Sequence, residues 1–176
     1  MNTSSLDVLR SVSWLPDVII SGMQTGADLG GLYAAEALGV PTGGFCPKGF
    51  KTEKGPRPDL AARFGLVESA FSDYSVRTRQ NVVICDVVIL VAHNFASAGT
   101  VATKRIALEL GKPVFDVSYG FLPTLMDMYL VSDIRDWLQH HKPAVINIAG
   151  NRESVARGIE KWTQQLIRSI FLDSGH

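Results

Sequence analysis

The chain has 176 residues, of which 46% are hydrophobic and 19% charged, with no formal net charge. That length can bury a sizeable core, and the composition is that of an ordinary folded protein rather than a disordered or fibrous one. Neutrality argues against nucleic acid as a partner, and no apolar run is long enough to span a bilayer.

Two cysteines, Cys46 and Cys85, are too few for a disulfide framework or a Cys-rich metal centre, and they suit a reducing, cytoplasmic setting. The opening stretch "MNTSSLDVLRSVSWLP" lacks the apolar core of a signal peptide. Residues 1–16 are expected to form a peripheral segment on a single domain spanning 1–176.

Short β-rich runs then alternate with helical patterns. "DVIIS" (Asp17 to Ser21) reads as the first strand and Leu29 to Leu38 as a helix stopped by Gly39. Thr25 and Asp28 are spaced as a capping box, which places the helix start near Gly26. The stretch from Pro41 to Pro58 is too rich in Gly and Pro for regular structure beyond a short strand, and reads as a long polar loop. "FGLVE" reads as a short strand. Tyr74 to Ile84 reads as a helix capped by Ser72 or Asp73. "DVVILVA" (Asp86 to Ala92) is apolar on both faces, as a buried parallel strand requires. A helix over Thr100 to Leu110, a strand in "KPVFDVS", and one or two helices over Pro123 to His140 follow. "AVINIAG" (Ala144 to Gly150) is the last strand, and Asn151 is expected to cap a final helix running through Leu172.

This order predicts an α/β, Rossmann-like, three-layer α/β/α fold with a mainly parallel sheet. Ligands in such sheets bind beyond the carboxyl ends of the strands, which directs attention to the loops after Ser21, Ala92 and Gly150. In "SGMQTGAD", Gly22 and Gly26 allow close backbone approach, and the helix start behind them offers N–H groups to an anion. The same glycines serve a bare strand-to-helix turn, and the G-x-G-x-x-G fingerprint is absent. In "HNFASAGTVAT", Gly99 and Thr100 stand at the next handover, with Thr100 either a helix cap or a phosphate contact. His93 is either a site residue or a solvated loop histidine. Arg152 falls in the expected first turn of the last helix, where a cation makes sense if an anion sits there too. Arg77 and Asn81 share one helix face while Arg79 points elsewhere; arginine suits bidentate recognition of phosphate. Lys48 lies on a glycine-flanked loop able to close over a ligand. Cys46 is a small apolar filler or, less often, a metal contact. No catalytic set emerges. The acids near these loops are Asp28 and Glu53, and Asp28 is accounted for as a cap.

Together, "SGMQTGAD", "GGFCPKG", "YSVRTRQNV", "CDVVILV", "AGTVAT", "ELGKPV" and "NIAGNRES" resemble, in this order, the molybdenum-cofactor carrier proteins, from Val18 to about Gly158. The resemblance implies a Rossmann-like fold, similar to the LOG-type proteins that cleave nucleotide phosphoribosyl bonds. It implies a carrier that binds molybdenum cofactor, a pterin dithiolene bearing a phosphate and an oxo-metal. The positions it implicates are Gly22, Gln24, Thr25, Gly26, Lys48, Arg77, Arg79, Asn81, Gly99, Thr100 and Arg152, with no catalytic residue and no protein ligand to a metal. A nucleotide or phosphate is the alternative ligand. Expected partners are a second copy of the chain, as dimer or tetramer, and molybdoenzymes or cofactor-synthesis proteins; Leu125, Met126, Met128, Tyr129 and Trp137 are apolar enough to supply the interface between copies, or equally to be core.

Two positions depart from the family pattern. Met23 stands where glycine is usual, adding a side chain beside the expected phosphate site, and Asn151 replaces the usual proline. The LOG enzymes use G-T-x-x-E, and here "GTVAT" puts Thr103 in the glutamate position. A threonine is no carboxylate base, which disfavours hydrolysis by that route. A nucleotide-processing enzyme and a nucleotide-sensing module remain the competing readings.

Overall fold

The structure, a computed structural model, describes residues 14–120 and 125–172, so residues 1–13 of the expected peripheral segment lie outside the described residues. In chain order it runs β1 (Val18–Ile20), α1 (Ala27–Leu38), β2 (Thr42–Gly43), β3 (Phe45–Cys46), a 3-10 turn (Lys48–Phe50), β4 (Lys51–Thr52) and β5 (Gly55–Pro56). Then come α2 (Pro58–Phe64), β6 (Val67–Glu68), α3 (Tyr74–Ile84), β7 (Val87–Ala92), α4 (Ala98–Glu109), β8 (Val114–Ser118), α5 (Leu125–His141), β9 (Val145–Gly150) and α6 (Ile159–Phe171).

The five-stranded central sheet has the order β2-β1-β9-β7-β8, and every pairing in it is parallel. Successive residues of a strand point to opposite faces, and the cores divide accordingly. Ile19, Ile89, Val91, Ile146 and Ile148 join buried residues of α1, α5 and α6. Ile20, Val88 and Leu90 join Val82, Cys85, Ile106 and Ala107 of the α3–α4 side. The result is the expected α/β/α sandwich. Among the described residues, no helix is long and apolar enough to cross a membrane.

Local chemistry explains the boundaries. Gly39 takes a left-handed conformation (φ 69°) and returns N–H bonds to the Ala35 and Glu36 carbonyls, which closes α1. The Asp73 side chain accepts the Ser75 N–H at 2.8 Å and caps α3. Small residues set the helix spacing: a Cβ on Gly30 would lie 2.4 Å from the Glu160 carbonyl, and one on Gly31 would strike Ile148. Arg135, almost fully buried, donates to the carbonyls of Ser169, Ile170 and Leu172, which closes the C-terminus of α6.

Three expectations need correcting. The Thr25–Asp28 capping box does not form: α1 has Gly26 at its cap with no side-chain bond, and both side chains are engaged elsewhere. The last helix begins at Ile159, with Gly158 at its cap, so residues 151–158 are loop and Arg152 lies outside any helix. Helix α4 starts at Ala98 rather than Thr100, which leaves Thr100 inside the first turn and not at the cap. The polar stretch after Pro41 is also more ordered than its composition suggests, with β4 and β5 forming a small antiparallel hairpin.

Candidate functional site

Three loops meet where β1, β9 and β7 end side by side. Chain connections diverge there, from β1 toward β2 and from β7 toward β8, so this is the switch point at which such sheets hold ligands.

The backbone donors of the loop after β1 are taken up by the protein itself. Residues 21–30 are all buried. The Gly26 N–H donates to the Glu160 carboxylate at 3.2 Å and the Ala27 N–H to the Asn151 carbonyl at 3.1 Å. The Gln24 N–H reaches Asp28 Oδ2, and the Thr25 N–H reaches the Gln24 side chain. The donors expected to face outward therefore have protein acceptors, and a negative side chain of the protein itself sits at the helix start. Gly26 is required by space and backbone alike: φ is 87°, and a Cβ would lie 2.4 Å from the Asn151 carbonyl. Gly22 is required by space, since its Cβ would overlap the Arg77 guanidinium. Met23 adopts φ 64°, keeping a glycine-like backbone. Its side chain is fully buried with Leu29, Leu32, Cys46 and Phe64, not displayed beside the site.

Asn151 organises the second loop. Its Oδ1 accepts the His93 and Asn94 N–H groups at 2.9 and 2.8 Å. Its Nδ2 donates to the Asn94 carbonyl, the Ser97 hydroxyl and the Thr100 hydroxyl. Thr100 is thus buried and bonded rather than exposed as a phosphate contact. The first-turn N–H groups of Ala98, Gly99 and Thr100 have no protein acceptor among the described residues. Gly99 is exposed, with open space where a Cβ would be. His93 is exposed, its ring nitrogen 3.4 Å from the Tyr119 carbonyl. Thr103 turns its hydroxyl back to the Gly99 carbonyl within α4.

Positive charge gathers beside these loops. Arg77 projects from α3 toward Asp28, 3.6 Å from its Oδ2, with both side chains nearly buried. Burial, above all, raises the Asp28 carboxyl above its usual range, with Arg77 acting against it. Burial likewise lowers the Arg77 guanidinium, with Asp28 opposing. The Arg77 Nε is buried with no acceptor, and so is the Nε2 of Gln24, a residue only 5% exposed. Arg152 faces the Tyr74 ring from 5.5 Å and Arg77 faces it from 6.0 Å. Two cations share one aromatic ring, an arrangement each makes less favourable for the other.

The hairpin β4–β5 closes the group from the side. Glu53 accepts the Thr25 hydroxyl, the Ser154 hydroxyl and, at 3.2 Å, the Ser154 N–H. The Glu53 N–H in turn donates to Gln24 Oε1 at 2.8 Å. Desolvation opposes the Glu53 charge, but the bonds from Ser154 and Thr25, with Arg152 nearby, leave its pKa lowered.

Gln24, Thr25, Arg77 and Arg152 are therefore brought together. Asn81 lies on the Arg77 side of α3, but its amide is engaged by both backbone groups of Phe45. Arg79, about 200° round the helix from Arg77, is exposed and pairs with Glu109 at 3.3 Å, so it leaves the group. Lys48 is exposed on the 3-10 turn, with no hydrogen bond or ion pair joining it to these residues. The parts of Tyr74, Ser154 and Glu53 are not legible in the sequence, because each acts through contacts between distant segments.

Comparison with known proteins places this geometry in context. No curated protein matches the chain. The crystal structure of a "putative molybdenum carrier protein" from Syntrophus aciditrophicus SB superposes with a TM-score of 0.80 at 32% identity, covering 89% of this chain and 95% of that one. The model of the circularly permutated YpsA SLOG family matches residues 19–171. The chain belongs to the circularly permutated YpsA SLOG family.

Proposed function

We propose that this protein binds a small phosphate-bearing ligand at the switch point and that the ligand is molybdenum cofactor, carried rather than converted. The observation that carries this reading is the pair of buried, unpartnered donors, Gln24 Nε2 and the Nε of the Arg77 guanidinium, with the Arg152 guanidinium on the same Tyr74 ring. A buried donor without an acceptor costs about 1–3 kcal/mol, and an oxyanion held there would repay both. The name of the similar Syntrophus protein supports the choice of cofactor.

The residues fit the phosphate end of such a ligand, since the Arg77 and Arg152 guanidinium groups, Gln24 Nε2 and the Thr25 and Ser154 hydroxyls are cations and donors, with Asp28 and Glu53 as the acids among them. Among the described residues, no group of three or more His, Cys, Asp and Glu could hold a metal ion, so a metal would arrive on the ligand's own sulfur atoms. Both cysteines are free and buried, in keeping with a reducing cytoplasmic setting. Self-association is part of the proposal: Met128 and Tyr129 of α5 are exposed, whereas Trp137 packs on Phe115. The side chains of Leu125 and Met126 lie outside the described residues.

The test is native mass spectrometry of protein purified gently from its host, with metal analysis and identification of the released molecule. A pterin phosphate with stoichiometric molybdenum is expected. A nucleotide without metal, or base release from a nucleoside monophosphate panel, would overturn the carrier reading.

A further inference from the structure

The Glu53 carboxylate is held as a bound phosphate would be. Two hydroxyl groups and a backbone N–H converge on it, from Thr25 and Ser154, which are 129 residues apart in the chain. Thr25 is itself fixed, since its hydroxyl accepts the Glu153 N–H at 3.4 Å. Arg152, two residues before Ser154, adds positive charge. Serine and threonine hydroxyls, a loop N–H and an arginine are the donor set that oxyanions prefer.

The element that delivers Glu53 is slight. Strands β4 and β5 are two residues each, and Lys51, Glu53 and Lys54 are exposed. The turn closes on itself through the Thr52 hydroxyl, which donates to the Gly55 carbonyl and accepts the Lys54 N–H. Among the described residues, every hydrogen bond joining this hairpin to the strand-end loops runs through Glu53. The chain enters the hairpin through Gly49 and Phe50, both with positive φ (74° and 54°). For Phe50 that is a strained conformation, held by its packing on the small core around Met23 and Phe64 and by the Arg57 N–H on its carbonyl.

We infer that Glu53 is an internal stand-in for the ligand's phosphate: Thr25, Ser154 and Arg152 form an oxyanion cradle, and an incoming phosphate displaces Glu53 and releases the β4–β5 hairpin. The inference rests on the anion-binding reading above and specifies which groups take the phosphate. Displacement also frees Gln24, whose Oε1 is tied to the Glu53 N–H while its Nε2 lies unpartnered. A site partly filled by its own chain binds with its intrinsic affinity multiplied by the fraction of the time it is unfilled. Removing the occupant restores the intrinsic value.

The experiment titrates inorganic phosphate against the full chain by backbone-amide NMR, in wild type, Glu53→Gln, Glu53→Ala, Thr25→Val/Ser154→Ala and Arg77→Ala. Glu36→Gln, at an exposed pair with Arg63, controls for net charge. Thermal melting of each variant checks the fold. Both Glu53 variants are expected to bind about tenfold tighter than wild type, Glu36→Gln to match wild type, and the Thr25/Ser154 double variant to lose binding. In wild type, phosphate should speed tryptic cleavage after Lys51 and Lys54. Equal or weaker binding in both Glu53 variants, with the fold intact, overturns the stand-in and makes Glu53 a brace. If that occurs while Arg77→Ala still loses binding, the anion-binding reading survives. If Arg77→Ala binds normally while Glu53→Gln gains, the cradle stands and the Arg77 site fails.

Discussion

Asn151 reaches across the switch point to Thr100. Its Nδ2 donates to the Thr100 hydroxyl at 2.9 Å, and both residues are almost fully buried. The same amide holds both N–H groups at the start of the loop after β7. One side chain thus ties the end of β9, the loop after β7 and the first turn of α4 into a single unit, although 51 residues separate the pair.

Asn151→Ala should therefore loosen a junction and not merely a surface loop. It removes five hydrogen bonds. The freed backbone groups can turn to water, so the expected loss is about 2–3 kcal/mol rather than the sum of five bonds. Chemical denaturation measures it. Amide exchange should rise first at His93 and Asn94. A loss below about 0.5 kcal/mol, the range of ordinary surface changes, would show that the amide is dispensable.

The Arg77–Asp28 pair gives a pH signature. In Arg77→Met, Asp28 stays buried without its cation, and breaking a buried pair from one side costs about 3–5 kcal/mol. Burial already raises the Asp28 pKa in the folded state, and losing Arg77 raises it further. A raised carboxyl pKa means that the folded state binds the proton more tightly than the unfolded one. Its contribution is full below the ordinary carboxylate range and is lost as pH rises through the folded value. The deficit of Arg77→Met relative to wild type should thus be small near pH 4 and grow toward pH 7. Adding Asp28→Asn, which keeps an acceptor for the Gln24 N–H, should restore part of it. Urea melts across that range decide the matter, and a deficit independent of pH would show that Asp28 is not the cause.

What could be read from the sequence, and what could not, divides along contact distance. The strand-helix alternation, the Asp73 cap and the Gly39 stop follow from local periodicity and turn chemistry, so residues 74–84 were placed to the residue. Asn151 is a false helix start for a local reason: an Asn after a strand resembles a cap, but here Glu153 accepts the Gly158 and Glu160 N–H groups and the helix waits for Ile159. In the sequence the start of α1 offers free donors, because nothing local shows that Glu160, 134 residues away, fills it. Arg77 was visible as a cation on a helix face. That Tyr74 sets it beside Arg152 was not, since the Tyr74–Arg152 contact crosses from α3 to the loop after β9.

The cysteines should be silent to thiol reagents in the folded chain. Burial pushes the Cys85 thiol up to about 12 and raises that of Cys46 as well. The thiolate is the reactive form, and at pH 8 a thiol with that pKa is ionised about once in ten thousand molecules. Iodoacetamide at pH 8 should leave both unmodified by mass spectrometry until urea is added. Rapid native labelling of Cys46 would mean that the small core around Met23, Leu60 and Phe64 opens readily.

Glycines 26 and 99 should respond in opposite ways, although both lie at the start of a helix. Gly26→Ala forces a Cβ to within 2.4 Å of the Asn151 carbonyl at φ 87°, which combines a backbone clash with left-handed strain. A loss of roughly 3 kcal/mol is expected. Gly99→Ala meets open space and improves helix propensity, so stability should hold or rise by up to about 1 kcal/mol. If the free N–H groups of Ala98, Gly99 and Thr100 face the ligand, the added methyl group narrows the approach, and phosphate affinity falls while the melting temperature does not. Loss of binding without loss of stability identifies Gly99 as a ligand-facing glycine. Unchanged affinity would confine the ligand to the Arg77 and Arg152 side and remove the start of α4 from the site.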